Sequence, residues 1–190
     1  MNDIVTTAAK FLAQLKVFEG FARHMYLDTR ANVTIGTGLL LPSGDAAVDA
    51  GLGFTERETG VAATDAAIRA DYASVAAAPA GLYPPDEYTP YTDLVAALDA
   101  LDAELAARVD IAREDVRAYA PEVMTYPTSV RYALLDMAFN LGRPGLLEYT
   151  RLRAALDERD WARAAGQSYR VGVQTSRNTA IARWIRAATD

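Results

Sequence analysis

A chain of 190 residues suits one domain or a compact two-lobed one, and its 51% hydrophobic share, rich in alanine, favours closely packed helices. A formal charge of −6 and a pI of about 4.9 argue against a general nucleic-acid binder, which carries a basic patch, and hinder adhesion to an anionic wall or membrane. The lack of cysteine excludes disulfides and thiolate metal sites.

Met1 to Thr6 shows neither a basic segment nor a long apolar run, so no secretion signal is expected. No apolar stretch approaches about 18 residues, so no membrane span is expected. Ile4, Ala8, Phe11, Leu12, Leu15 and Phe18 recur at helical spacing and predict an amphipathic helix over 4–18, ended by Gly20. Over 24–41, Met25-Tyr26-Leu27 and Val33-Thr34-Ile35-Gly36 flank Asp28-Thr29-Arg30-Ala31-Asn32, which predicts a hairpin or small sheet. Pro42-Ser43-Gly44-Asp45 reads as a turn. Thr55-Glu56-Arg57-Glu58 has the form of a capping box and predicts a long helix over 56–77. Prolines 79, 84, 85 and 90 predict a loop. Helical spacing resumes over 92–108, and a short helix is expected over 113–119. A nearly all-apolar helix from Val130 to Leu141, interrupted only by Arg131, Asp136 and Asn140, belongs in the middle of a bundle. Gly142-Arg143-Pro144-Gly145 ends it, and helices over 149–169 and 178–188 follow. The resulting class is α+β, mostly α, with the sheet near the N-terminus.

The candidate chemistry lies at the junction of the first helix and the hairpin. Glu19 closes the helix, Asp28 falls nine residues later in the hairpin, and Thr34 comes six residues after that on the returning strand. Cleavage of a glycosidic bond needs an acid for the leaving oxygen and a base or nucleophile on the other face of the sugar. A carboxyl in apolar surroundings resists ionisation and can act as the acid. Phe18, Phe21 and Tyr26 are candidates to surround Glu19 in this way, whereas Asp28, in a Thr/Arg/Asn-rich turn, is expected to stay ionised.

Glu19-Gly20, Tyr26-Leu27-Asp28 and Thr34-Ile35-Gly36-Thr37-Gly38 resemble the active-site segment of the phage-type lysozymes, glycoside hydrolase family 24. Downstream, Thr55-Glu56-Arg57-Glu58 is similar to the start of that family's long inter-lobe helix. Arg131 to Gly142 is similar to its central helix, and Trp161 to Ala165 and Gln174 to Asn178 are similar to its last third. The resemblance covers about 11–77 and 127–187; residues 80–126 have no clear counterpart, and Leu39 stands where the family often has histidine.

The resemblance implies a lysozyme-like two-lobed fold in a single domain. An active-site hairpin would occupy about 19–55, a connecting helix about 56–77, and a helical lobe about 92–190 packed with helix 4–18. The activity implied is that of a muramidase cutting the β-1,4 bond between N-acetylmuramic acid and N-acetylglucosamine with inversion. Glu19 would be general acid, and Asp28, helped by Thr34, would hold and activate the attacking water. No metal or organic cofactor is implied. Asn140, Tyr149, Gln174 and Arg177 are the implied substrate contacts. A family arginine near the acid falls close to Arg177, although ungapped pairing puts Asn178 there. The partner would be peptidoglycan glycan strands, with no nucleic acid and no stable membrane insertion, and a monomer is expected. Such a protein, made in the cytoplasm, would act in the periplasm or cell wall. It would arrive either as an endolysin released by a holin or as an antibacterial effector countered by an immunity protein. Rival readings are a noncatalytic wall-binding module, a lytic transglycosylase and a chitinase-like hydrolase.

Other residues invite weighing. His24, the only histidine, reads as a surface or half-buried strand residue. Asn140 fits either a sugar contact or a polar group at a helix end, and Tyr149 and Gln174 fit either a cleft wall or packing and capping. Trp161 and Trp184 read as core. Tyr83, Tyr88 and Tyr91 read as packing their loop onto the bundle, with sugar stacking as the alternative. Asp99, Asp102 and Glu104 read as a solvated helix face.

Overall fold

The structure is a computed structural model that describes residues 11–18 and 20–188. Glu19 and the predicted helical positions before Phe11 lie outside the described residues. The chain divides into two compact units, Met1–Ala106 and Ala107–Asp190. The boundary falls within a helix, but that helix is not the one expected over 56–77.

In the first unit, residues 11–18 are helical (α1), with Phe11 and Leu15 on the buried side. Gly20 follows at φ +76, a left-handed conformation open to glycine, which suits the predicted stop. Strands β1 (Ala22–Leu27), β2 (Val33–Gly36) and β3 (Leu39–Leu40) form an antiparallel sheet in that order. The register pairs Tyr26 with Thr34 and Leu27 with Val33, and a bulge lies between Ala22 and Tyr26. Met25, Ile35 and Leu41 turn into the core with Val75, Tyr88 and Leu101. Gly36 is at φ +64, a left-handed conformation that favours glycine, and a Cβ there would also press within 3.2 Å of the Leu101 side chain.

The β1–β2 loop is closed by an Asp28 N–H to Asn32 O bond of 2.9 Å and an Ala31 N–H to Asp28 O bond of 3.0 Å. Ala31 sits there at φ 61, in the left-handed region. An L-residue is strained in that region by about 1–2 kcal/mol, and glycine is not. Ala31→Gly is therefore expected to stabilise the protein by roughly 0.5–1 kcal/mol after the extra entropy loss of glycine, read as a rise in the urea midpoint with unchanged m.

The Pro42–Asp45 turn leads straight into a helix that periodicity did not reveal, α2 (Gly44–Asp49), N-capped by the Ser43 hydroxyl. The helix predicted over 56–77 is corrected in its first third. Thr55–Glu56 is a strand, β4, paired with β5 (Leu94–Val95). The Glu56 N–H is taken by Val61 O, and Gly60, at φ +71, turns the chain back. Pairing with β5 holds Thr55 and Glu56 extended, so no helix starts there. The helix, α3, runs instead from Asp65 to Ala76, and its N-cap is Thr64, whose hydroxyl accepts from the Ala67 N–H at 3.2 Å. The proline-rich segment is irregular up to a 3₁₀ helix at Pro85–Tyr91. Tyr88 is fully buried there, its hydroxyl donating to Pro79 O, and Tyr91 is half-buried; Tyr83 stays exposed.

Helices expected over 92–108 and 113–119 are one. After β5, α4 runs unbroken from Leu98 to Tyr119. Ion pairs one turn apart, Arg113 with Asp110 and Arg117 with Glu114, carry it through the charged stretch. Asp102, on the acidic face, is engaged by Lys16 at 2.5 Å.

In the second unit, a 3₁₀ turn (Val123–Thr125) precedes α5 (Thr128–Leu147), whose Val130, Ala133, Leu134, Met137 and Ala138 are buried. Gly142, at φ 64 and ψ 173, breaks α5 where the sequence predicted, and a final turn follows it. The single helix expected over 149–169 is two: α6 (Thr150–Asp157) and α7 (Trp161–Gly166). Arg159 at φ 54 separates them, and Asp160 caps α7. Leu152, Leu156, Trp161 and Ala165 are all buried despite the break, which is why one periodic run was read through both. Helix α8 spans Thr175–Arg186 and packs on α5 and α7. Trp161 meets Tyr126 edge-on at 5.7 Å, while Trp184 is only half-buried. The chain is thus mostly helical, with a small antiparallel sheet followed by a helical C-terminal part. No helix among the described residues is long and apolar enough to cross a membrane.

Candidate active site

The site is built from the hairpin turn upward. The Tyr26–Thr34 register, extended two residues, sets Asp28 opposite Asn32. Because strand side chains alternate, Asp28 and Thr34 then lie diagonally on one face, with Cα atoms about 7–8 Å apart.

Asp28 Oδ1 accepts from the Arg30 N–H at 2.8 Å and the Asn32 N–H at 2.9 Å, and its Oδ2 accepts from the Asn32 amide at 3.2 Å. Burial alone would raise its pKa. The bonds from Asn32 and Arg30, and the Arg30 charge, outweigh burial and hold the carboxyl below its usual range. It is half-exposed, with donors fixing its orientation.

Thr34 is 3% exposed, and its hydroxyl donates to Asn32 O at 3.1 Å. With its proton committed there, its oxygen can only accept from another partner. Asn32 therefore links the pair, holding both Asp28 oxygens and receiving the Thr34 hydroxyl. The sequence reading did not single it out; the signal available was an Asp and an Asn four apart in a polar turn, the pattern of side chains that close loops on their own backbone. Phe18 and Phe21, on either side of Glu19 in the chain, are half-buried, and Tyr26 is buried.

His24 is more deeply placed than expected. It is buried on β1, and its Nε2 lies 3.0 Å from Pro85 O, so that nitrogen carries the proton and donates. Asp71, on α3, is a buried carboxyl of this unit. Burial pushes it up, only partly offset by the Thr92 hydroxyl at 2.8 Å and the Asp93 N–H at 2.7 Å. It clamps the segment before β5.

The other four candidates belong to the second unit. Asn140, two residues before the Gly142 break in α5, is exposed, and its Oδ1 accepts from Arg170 Nη1 at 3.4 Å. The Tyr149 hydroxyl donates to Tyr169 O at 3.3 Å, and Tyr149 O accepts from the Tyr119 hydroxyl at 2.7 Å. Gln174 is exposed at the N-cap of α8, where its carbonyl accepts from the Asn178 N–H. Arg177 is only 4% exposed, and its Nε reaches both oxygens of Asp136 at 3.1 Å.

Asp136 is the centre of a buried group that the sequence reading did not assemble. Arg170 Nη1 and Arg177 Nη2 each lie 2.9 Å from it, and the exposures of Arg170 and Asp136 are 0% and 1%. Asn178 completes the group, its Oδ1 accepting from the Arg170 N–H and its amide donating to Arg170 O at 2.8 Å. Burial depresses the Arg170 pKa, against the pull of Asp136. An aspartate inside a nearly all-apolar helix was the signal, since a buried carboxylate needs a cation. The chain matches no protein-family model and no curated protein sequence.

Proposed function

We propose that this chain is a peptidoglycan muramidase with a lysozyme-like two-lobed fold, cutting the β-1,4 bond between N-acetylmuramic acid and N-acetylglucosamine with inversion. The observation that carries the reading is the Asp28 turn: a carboxylate kept ionised by three donors, half open to solvent, with a hydroxyl on the same sheet face. It adds to the resemblance of the Glu19–Asp28–Thr34 segment to the phage-type lysozymes.

In this mechanism Glu19 protonates the leaving glycosidic oxygen. Asp28 takes a proton from a water on the opposite face of the sugar as that water attacks the anomeric carbon. The lone pairs left on Thr34 Oγ1 accept a hydrogen bond from the water's other O–H, which stays on the product hydroxyl, and fix the attack direction. Inversion requires the two carboxyl groups to stand roughly 6.5–9.5 Å apart, leaving room for the water. A lytic transglycosylase has no water to activate and no use for an ionised Asp28. The setting is wall lysis, as a phage endolysin or an antibacterial effector, acting on glycan strands as a monomer and without a cofactor.

The test is digestion of purified sacculi with mass spectrometry of the soluble products. Muropeptides ending in reducing muramic acid are expected, and Glu19→Gln should release none while keeping the wild-type melting profile. Products with 1,6-anhydro ends, or undiminished release by Glu19→Gln, would overturn the reading, and binding to sacculi without release would leave a noncatalytic module.

A further inference from the structure

The two units differ in charge. Residues 1–106 hold 15 acidic and 6 basic side chains, a formal −9, whereas residues 107–190 hold 10 acidic and 13 basic, a formal +3. The Asp28 hairpin thus belongs to the acidic unit. A polymer bearing carboxylates is repelled by such a surface unless a local cation offsets the field.

The described cations of this unit are almost all spent on the protein itself. Lys16 pairs with Asp102 and lies 4.6 Å over the Phe21 ring. Arg23 donates twice to Ala96 O, at 3.0 and 2.8 Å. Arg57 donates to Thr92 O at 3.0 Å, and Arg69 pairs with Asp45 at 2.7 Å. Arg30 differs. Its backbone N–H serves the turn, but among the described residues its guanidinium makes no hydrogen bond or ion pair, and the residue is exposed. It stands two residues from Asp28, anchored by the bond that orients the carboxylate.

We propose that Arg30 is a substrate-binding residue that takes a carboxylate of the wall polymer beside the bond to be cut. The inference rests on the muramidase reading. A guanidinium fork matches a carboxylate with two parallel N–H donors, which an ammonium does not reproduce. The carboxylate has two sources on such a polymer, the peptide stem and the lactyl group exposed when the stem is absent.

Equilibrium binding tests this apart from turnover. The Glu19→Gln protein, with and without Arg30→Gln, is titrated by NMR with three probes: the N-acetylglucosaminyl-N-acetylmuramic acid disaccharide bearing a peptide stem, the same disaccharide without it, and neutral chitobiose. Carboxylate-bearing probes should bind at least about 5-fold more tightly than chitobiose at low salt, with the preference weakening as salt is added. Arg30→Gln should erase the preference, and Arg30→Lys should restore only part of it. Preference for the stem-bearing probe alone assigns the stem carboxylates, preference for the stemless disaccharide alone assigns the lactyl carboxylate, and preference for both shows that Arg30 takes either. Equal binding of all three probes, or no change on Arg30→Gln, overturns the proposal. Sacculus hydrolysis by the wild type is measured in parallel. Hydrolysis without an Arg30 effect removes Arg30 and leaves the muramidase standing. Arg30-dependent carboxylate binding without hydrolysis keeps Arg30 and removes the muramidase.

Discussion

On the proposed mechanism, Asp28→Asn is expected to lower the rate of sacculus digestion by about 10²–10⁴, the range a positioned general base contributes, while the fold survives. The asparagine Oδ1 can still accept from the Arg30 and Asn32 N–H groups, so the turn keeps its two shortest bonds to this side chain. What disappears is the basic oxygen and its charge. Since Asn32 and Arg30 hold Asp28 below the ordinary carboxylate range, the acid limb of the pH–rate profile that Asp28 sets should also lie below that range. The same depression has a stability sign. The ionised form is favoured in the fold, so its contribution is present above the ordinary carboxylate range and fades as pH falls through the depressed value. Partial exposure keeps that contribution small. Initial rates on sacculi across pH for wild type and Asp28→Asn, with melting curves for both, make the check. A variant that keeps more than a tenth of the wild-type rate would take the base role from Asp28.

Asp136→Ala should be the most destabilising single change in the helical unit, by about 3–5 kcal/mol, because it leaves two guanidiniums buried with no anion. Arg170 and Arg177 both rely on Asp136 at 2.9 Å, and neither has solvent to retreat to at its burial. Removing all three charges is a different operation. The triple variant Asp136→Leu with Arg170→Met and Arg177→Met should recover most of the loss, since desolvating the charges offsets much of what their attraction returns. Urea unfolding of the single and triple variants measures both effects. A loss below 1 kcal/mol for Asp136→Ala would mean that the guanidiniums reach water in the folded state. The buried pairing also bears on Arg177 as a sugar contact, because its Nε and Nη2 are already committed to Asp136.

Much of the local order was legible in the chain. The hairpin around Asp28, the stop at Gly20 and the apolar α5 broken at Gly142 all follow from periodicity and turn chemistry, which act over a few residues. The direction of the Asp28 shift was legible for the same reason, since its donors are Arg30 and Asn32, two and four residues away. Long-range choices were not. Thr55 and Thr64 both carry cap chemistry, and the pairing of Thr55 with Val95, forty residues on, decided between them. A single periodic run passed through α6 and α7 because both bury apolar faces, so only the left-handed Arg159 and the Asp160 cap disclosed two helices.

The site divides along the same line. Composition and spacing alone determined that Asp28 sits in the turn of a hairpin and Thr34 on its returning strand, because both positions depend on bonds within a seven-residue stretch. Only tertiary structure decided that Arg177 answers Asp136, that Arg170 joins it, and that the other described cations of the first unit bond elsewhere while the Arg30 guanidinium makes no hydrogen bond or ion pair among the described residues. A charge is placed by whichever opposite charge burial brings to it, and burial is set by packing between segments distant in the chain.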